Sequence, residues 1–141
     1  MSTIGFDTSN YTTSTAWTDG KTDINVRQIL YVKDGERGIR QSDGVFQHMK
    51  LMPVMYEKLS EQIDFKDVKA VGVSTRPRCV EGSYMPVFLA GEGYAKVVAN
   101  TLGVPLYEFS HQDGHIMAGI YSSGSFELLE NDFISVHLSG G

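Results

Sequence analysis

The hydrophobic period of this chain shifts after an opening made only of strand-like runs, and that shift restricts the fold more than composition does. Up to about residue 33 the apolar residues come in short, β-branched runs; from Val45 they recur every three or four positions. Residues 3–8 read as a strand. Residues 12–18, Thr-Thr-Ser-Thr-Ala-Trp-Thr, read as a second, joined to the first by the turn Ser9-Asn10-Tyr11. Asp19-Gly20 ends it, and residues 26–33 read as a third, with Val26, Ile29, Leu30, Tyr31 and Val32 as its apolar side chains. Three strands joined by short turns form an antiparallel meander.

The later segments alternate. Val45, Met49, Met52, Met55, Leu59 and Ile63 mark an amphipathic helix in which Pro53 predicts a kink or two shorter helices. The methionine stripe reads as core filler, not as a ligand set. Residues 68–74 read as a buried strand. Phe88, Gly91, Ala95, Val98 and Leu102 mark a second helix, ended by Gly103. Residues 105–109 read as a short strand, 111–122 as a third helix and 133–138 as a last strand. The order β-β-β-α-β-α-β-α-β predicts an α/β domain with a mixed sheet.

A length of 141 residues suits one domain. The net charge of -5 argues against the chain by itself being a strong nucleic-acid binder, which needs clustered Lys and Arg. Lys33, Arg37 and Arg40 are interleaved with Asp34 and Glu36, and read as a solvated turn of mixed charge. No apolar run approaches the ~20 residues needed to span a bilayer, and the N-terminus lacks signal-peptide features. No membrane partner is expected. The single cysteine, Cys79, excludes an internal disulfide and fits a reducing, cytoplasmic compartment. Arg76 and Arg78 precede it, but no base or resolving cysteine is near in sequence, so Cys79 reads as an ordinary free thiol.

Ser110-His111-Gln112-Asp113-Gly114-His115 carries the most chemistry. Residues i and i+4 of a helix share a face, with Cβ atoms about 5–6 Å apart, so two imidazoles can converge on one metal ion. Ser110 suits the N-cap and Asp113 the third helical position of a capping box. A metal needs three or four ligands and this segment offers two. The spacing alone equally fits two histidines on a polar helix start that bind nothing. His48 and His137 read as structural or surface histidines. Asp7 reads either as a site residue or as a turn residue closing the hairpin through its own side chain. The chain stops at Ser139-Gly140-Gly141, a turn with no following strand, which suggests a piece of a longer chain cut inside a motif.

Four segments together resemble the Gcp/TsaD family, the tRNA threonylcarbamoyl-adenosine enzymes once labelled O-sialoglycoprotein endopeptidases or glycoproteases. Gly5-Phe6-Asp7-Thr8-Ser9 and Thr12-Thr13 resemble its first strand and phosphate loop. Val71-Gly72-Val73-Ser74 resembles the strand before its Gly-Pro-Gly loop, and Ala90-Gly91 to Leu102 the helix after it. Ser110 to His115 resembles its metal motif. Val136-His137-Leu138-Ser139-Gly140-Gly141 resembles its second phosphate loop. The likeness runs over nearly all of this chain and about half of a typical member.

The resemblance implies one ribonuclease-H-like lobe of a two-lobed actin-like ATPase (sugar kinase/Hsp70) fold, residues 1–141 forming the N-terminal lobe, truncated inside the second phosphate loop. It implies a divalent metal, iron or zinc, on His111 and His115, with a third ligand, an aspartate, from the second lobe. Asp7, Thr8 and Ser9 would border the phosphates of ATP or threonylcarbamoyl-AMP through backbone N–H groups, with Mg as a further candidate ion. Ser139, Gly140 and Gly141 would form the opposite wall. The implied reaction transfers threonylcarbamoyl to N6 of adenosine 37 in tRNA, in company with other proteins of that pathway. One departure is Arg76-Pro77-Arg78 in place of Gly-Pro-Gly. It keeps two alternatives open: a non-catalytic actin-fold paralogue serving as partner or scaffold, and a small-molecule kinase or carbamoyltransferase. For the 141-residue chain alone the expectation is no catalysis, with self-association by edge pairing at the last strand.

Overall fold

Alternation of buried and half-buried residues in Ser2–Asp7 builds the central strand of the molecule, β1. The computed structural model describes residues 1–138, so the expectations placed on Ser139, Gly140 and Gly141 lie outside the described residues. β1 pairs antiparallel with β2 (Thr12–Thr18), which pairs antiparallel with β3 (Asp23–Ile29). On its other side β1 pairs parallel with β4 (Val68–Arg76), which pairs parallel with β5 (Leu106–Ser110). The result is one mixed sheet, ordered β3-β2-β1-β4-β5. Helix α1 (Gln41–Ser60) packs over β2 and β3, and α2 (Phe88–Leu102) over β4 and β1. Helix α3 (His111–Ser123) leaves the end of β5 directly.

The core lies between the sheet and the first two helices. Ile4, Phe6, Val71 and Val73 meet Met52, Leu59, Ala95 and Ala99 there, all buried. Each large side chain so buried contributes about 1.5–3 kcal/mol. Met52 and Met55 are core filler, as their spacing indicated, while Met49 is half exposed. The inward stripe of α1 begins with Gly44 and His48, not with Val45 and Met49. His48 is a structural histidine, fully buried, with Nδ1 2.8 Å from the Thr13 hydroxyl. Gly103 ends α2 at φ 66°, a left-handed conformation that favours glycine.

Three expectations need correction. The third strand is shifted toward the N-terminus. It pairs as soon as the turn after Thr18 closes, and beyond Ile29 the Gln47 side-chain amide bonds both the N–H and the C=O of Tyr31, ending the ladder. Pro53 neither divides nor ends α1. The carbonyl it leaves without an intrahelical donor is that of Met49, and the Tyr94 hydroxyl of α2 donates to that oxygen at 2.9 Å. No strand forms over residues 133–138. Ile134, Val136 and Leu138 are 93%, 77% and 88% exposed, and the segment lies along α3 instead of on a sheet edge. β-Propensity without a ladder partner does not make a strand. The element order is therefore β-β-β-α-β-α-β-α, followed by a short 3₁₀ turn, and the premise for edge pairing at a last strand is gone. No helix among the described residues is long and apolar enough to cross a membrane.

Candidate metal and nucleotide site

Strands β1, β4 and β5 are mutually parallel, so their carboxyl ends emerge on one side of the molecule, where open α/β sheets bind ligands. Asp7 is the last residue of β1, and His111 the first of α3, just past β5. Ser110 fixes that helix start. Its hydroxyl accepts from the Asp113 N–H at 3.1 Å, and its own N–H donates to Asp113 Oδ2 at 2.9 Å, the reciprocal capping box that the sequence indicated. Gln112 donates its N–H to the Pro77 carbonyl at 3.1 Å, so the β4–α2 loop closes over the same helix end. Phe88, buried at the start of α2, places its ring 6.4 Å from that of His111.

The imidazoles converge. Nε2 of His111 and Nε2 of His115 are 2.8 Å apart. On its other side His111 Nδ1 meets Asp7 Oδ2 at 2.8 Å. Asp7 is thus doubly engaged, because its Oδ1 accepts from the Ser9 N–H at 2.8 Å. The turn-closing reading of Asp7 holds through one oxygen, and the other oxygen meets the histidine. Burial works to raise the Asp7 pKa, but hydrogen bonds from His111, Ser74 and Ser9 outweigh it and hold the carboxyl at about 2. The bond to Asp7 raises the His111 pKa against the effect of burial. His115 is lowered, by burial and then by the neighbouring His111 and His137.

This arrangement fits a divalent cation. With Asp7 holding a proton on His111 Nδ1, the Nε2 lone pair faces outward beside that of His115, the carboxylate–histidine pattern that orients metal ligands. Bonds of about 2.0–2.1 Å to one ion place two nitrogens roughly 3 Å apart, close to what the pair shows before any adjustment. Among the described residues no set of three His, Cys, Asp or Glu side chains converges on one point. His137 reaches the neighbourhood, its ring 5.2 Å from that of His115.

The turn after β1 departs from simple expectation. The Thr8 hydroxyl points inward. It donates to the Val87 carbonyl at 2.8 Å and accepts from the Gly91 N–H at 3.0 Å, and Thr8 is fully buried. A Cβ at position 91 would lie 2.9 Å from that hydroxyl oxygen, so Gly91 is glycine to admit Thr8. The Ser9 N–H is engaged by Asp7, while the Ser9 hydroxyl lies 3.4 Å from His111 Nε2. Asp7, Ser9, His111 and His115 are therefore brought together. Thr8 anchors the turn to α2, and its side chain is not on the ligand side. Cys79 is exposed, with Arg76 Nη2 3.9 Å from its sulfur. Sequence reasoning missed Ser74 and Phe88. Ser74 stands at the parallel-strand end beside Asp7, and the strand order was the signal that located it.

No family model matches the chain. Curated relatives do match. One from Clostridium kluyveri is 33% identical over 96 residues, covering 67% of this chain and 26% of that protein. Another, from Christiangramia forsetii, is 32% identical over 92 residues, 64% of this chain and 26% of the relative. A third, from Pyrobaculum calidifontis, is 29% identical over 128 residues, 89% of this chain and 36% of the relative. All three bear the same name. The chain is homologous to part of the tRNA N6-adenosine threonylcarbamoyltransferases. It spans about a quarter to a third of the length of these transferases, less than the half that the resemblance implied. Among solved structures, YeaZ from Pseudomonas aeruginosa superposes with a TM-score of 0.55 at 16% identity, over 78% of this chain and 43% of that one. A second structure, of a protein described as similar to peptidase YeaZ, gives 0.56 at 14%, over 77% and 43%. At such identities the likeness shows the fold alone, an α/β domain with a mixed five-stranded sheet.

Proposed function

We propose that this chain carries the metal and phosphate side of a tRNA N6-adenosine threonylcarbamoyltransferase, acting on threonylcarbamoyl-AMP within a larger protein. The observation that carries the reading is the pair of Nε2 atoms 2.8 Å apart with Asp7 bonded behind one of them. His111 and His115 would hold one divalent ion, iron or zinc. When bound, such an ion supplies a Lewis acid beside the phosphate and carbonyl oxygens of the acyl-adenylate. Asp7 keeps the His111 proton on Nδ1 and so keeps Nε2 free. Thr8 fixes the turn that presents Ser9 to the ligand. The names of the relatives support the tRNA-directed transfer.

The test uses the full-length protein with the other proteins of the pathway, ATP, threonine, bicarbonate and tRNA. Modified adenosine should form with wild type and not with His111→Ala. A protein that folds, carries no metal and leaves tRNA unmodified would instead be the non-catalytic paralogue. ATP turnover that responds to a small metabolite and ignores tRNA would identify a kinase or carbamoyltransferase.

A second reading has one observation behind it. Ser9, His111 and Asp7 stand in the order nucleophile, base, orienting carboxylate. It is the weaker reading, since His115 engages the same nitrogen at 2.8 Å against 3.4 Å for Ser9, and the Ser9 N–H is turned to Asp7. Labelling of Ser9 by a fluorophosphonate that persists in the presence of zinc would favour it.

A further inference from the structure

The β4–α2 loop carries two arginines for which the fold supplies no counter-charge. Arg76 is the last residue of β4, and Arg78 follows one proline later. Among the described residues neither guanidinium forms an ion pair. Arg76 is half-buried and donates to the Thr75 hydroxyl at 3.1 Å, while Arg78 is exposed. The loop has a single carboxylate, Glu81, against the two arginines. The other loop on this side of the sheet that holds arginines, with Arg37 and Arg40, carries Asp34 and Glu36 as well. A cation partly withdrawn from water without a partner is unfavourable, so its retention calls for an anion from outside.

The loop is pre-formed. The Arg78 N–H donates to the Ser83 hydroxyl at 3.0 Å and the Ser83 N–H to the Val80 carbonyl at 3.1 Å, with Gly82 at φ 73° between them. The Pro77 carbonyl, set between the two arginines, accepts from the N–H of Gln112, the neighbour of His111. Both cations therefore flank the point where the loop meets the helix that holds the imidazoles. Just past the closed turn, Tyr84 is 61% exposed. An exposed aromatic ring beside unpaired guanidinium groups is what holds unpaired RNA: the ring stacks on a base, and the cations take phosphates.

We propose that the β4–α2 loop is an RNA-contact loop, Arg76 and Arg78 taking backbone phosphates of the acceptor RNA and Tyr84 stacking on one of its unpaired bases. The inference rests on the transferase reading given above and assigns residues to its RNA side, which the imidazole pair does not serve. It also gives a use to Arg76-Pro77-Arg78 where the resemblance leads to Gly-Pro-Gly: two charged side chains stand where bare backbone would. With a net charge of -5 the attraction is local to this loop and not a field of the whole chain.

The experiment uses the full-length protein and fluorescently labelled, unmodified tRNA, with anisotropy read over a series of salt concentrations. AMP is the second probe and stands for the phosphate of the adenylate. Arg78→Gln should weaken tRNA binding about fivefold, the effect of one lost contact. It should also lower the slope of log affinity against log salt by about 0.7–0.9. Arg76→Gln should do the same, and if it lowers the melting temperature, Arg78→Gln at its exposed side chain decides. Tyr84→Ala should weaken binding about fivefold or more with the salt slope unchanged, and Tyr84→Phe, which keeps the ring, should restore it. AMP affinity should match wild type throughout. Variants that bind tRNA as tightly as wild type, with the same slope, overturn the inference and leave the transferase reading standing. Weakened AMP binding with tRNA binding intact assigns the arginines to the nucleotide phosphate and overturns the RNA contact. A wild-type protein that binds no tRNA removes the transferase reading and the inference with it.

Discussion

Asp7 and His111 see the same bond from opposite ends, and their linked protons make metal-free stability depend on pH in a definite direction. The Asp7 carboxyl is lowered from 3.8 to about 2. Its contribution is present above about 4 and is lost as pH falls toward 2. His111 is raised above 6.5. Its contribution is present below 6.5 and is lost as pH rises through the raised value. Both are in place between about 4 and 6.5. The Asp7 shift corresponds to about 2 kcal/mol, and because the bond is shared it is counted once. His48 acts the other way, since burial lowers its pKa and favours the folded state as pH rises. A difference profile isolates the pair. Urea unfolding of wild type minus Asp7→Asn, in chelator, should show an excess stability that is largest between about 4 and 6.5 and declines on both sides. A flat difference would mean that the Asp7–His111 bond does not form in solution.

At the scale of elements, α1 and α2 are joined by a bond that an unbroken helix would not need. Pro53 leaves the Met49 carbonyl free, and Tyr94 fills it. Tyr94→Phe should therefore cost about 1 kcal/mol in the native sequence. In a Pro53→Ala background residue 53 supplies the N–H itself, and the same change should cost markedly less. A double-mutant cycle by urea unfolding measures this coupling, and additive effects would show that the hydroxyl does not cap the carbonyl. The cycle also marks where sequence reading stopped. Local signals were legible: the Ser110–Asp113 box and the Gly103 terminator need only neighbours a few residues away, and both are in place. Rescue of Pro53 by a residue 41 positions later was not legible, nor was the choice of His48 over Met49 for the inner face of α1. The last strand failed for the same reason, because pattern supplies a strand's alternation and only a neighbour supplies its ladder. In the site, the two histidines were readable from their spacing, and Asp7 only through the family resemblance. The inward turn of Thr8 depends on α2 packing against β1, which no local pattern encodes.

For the whole molecule the decisive number is the ligand count. A zinc ion in a closed protein site takes four donors in tetrahedral array. Among the described residues two imidazoles converge and no third ligand joins them. His111 is half-buried and His115 exposed, and both stand at the carboxyl ends of the parallel strands. Two chains can therefore complete one ion between them, each giving His111 and His115. Zinc titrated into the 141-residue chain should drive dimerisation that peaks near half an equivalent of metal per chain. It should reverse toward monomer as zinc becomes excess and each chain takes its own ion, with water filling the remaining positions. His115→Ala should abolish the peak while leaving the fold intact, because a Cβ is all that it keeps of an exposed side chain. Sedimentation velocity across the titration reads this directly. A monomer that binds one zinc with no dimer at any ratio would mean that the chain supplies further ligands of its own, with His137, whose ring is 5.2 Å from that of His115, the first to substitute. A dimer that forms equally well in chelator would place association on another surface, and the paired imidazoles would then have no part in it.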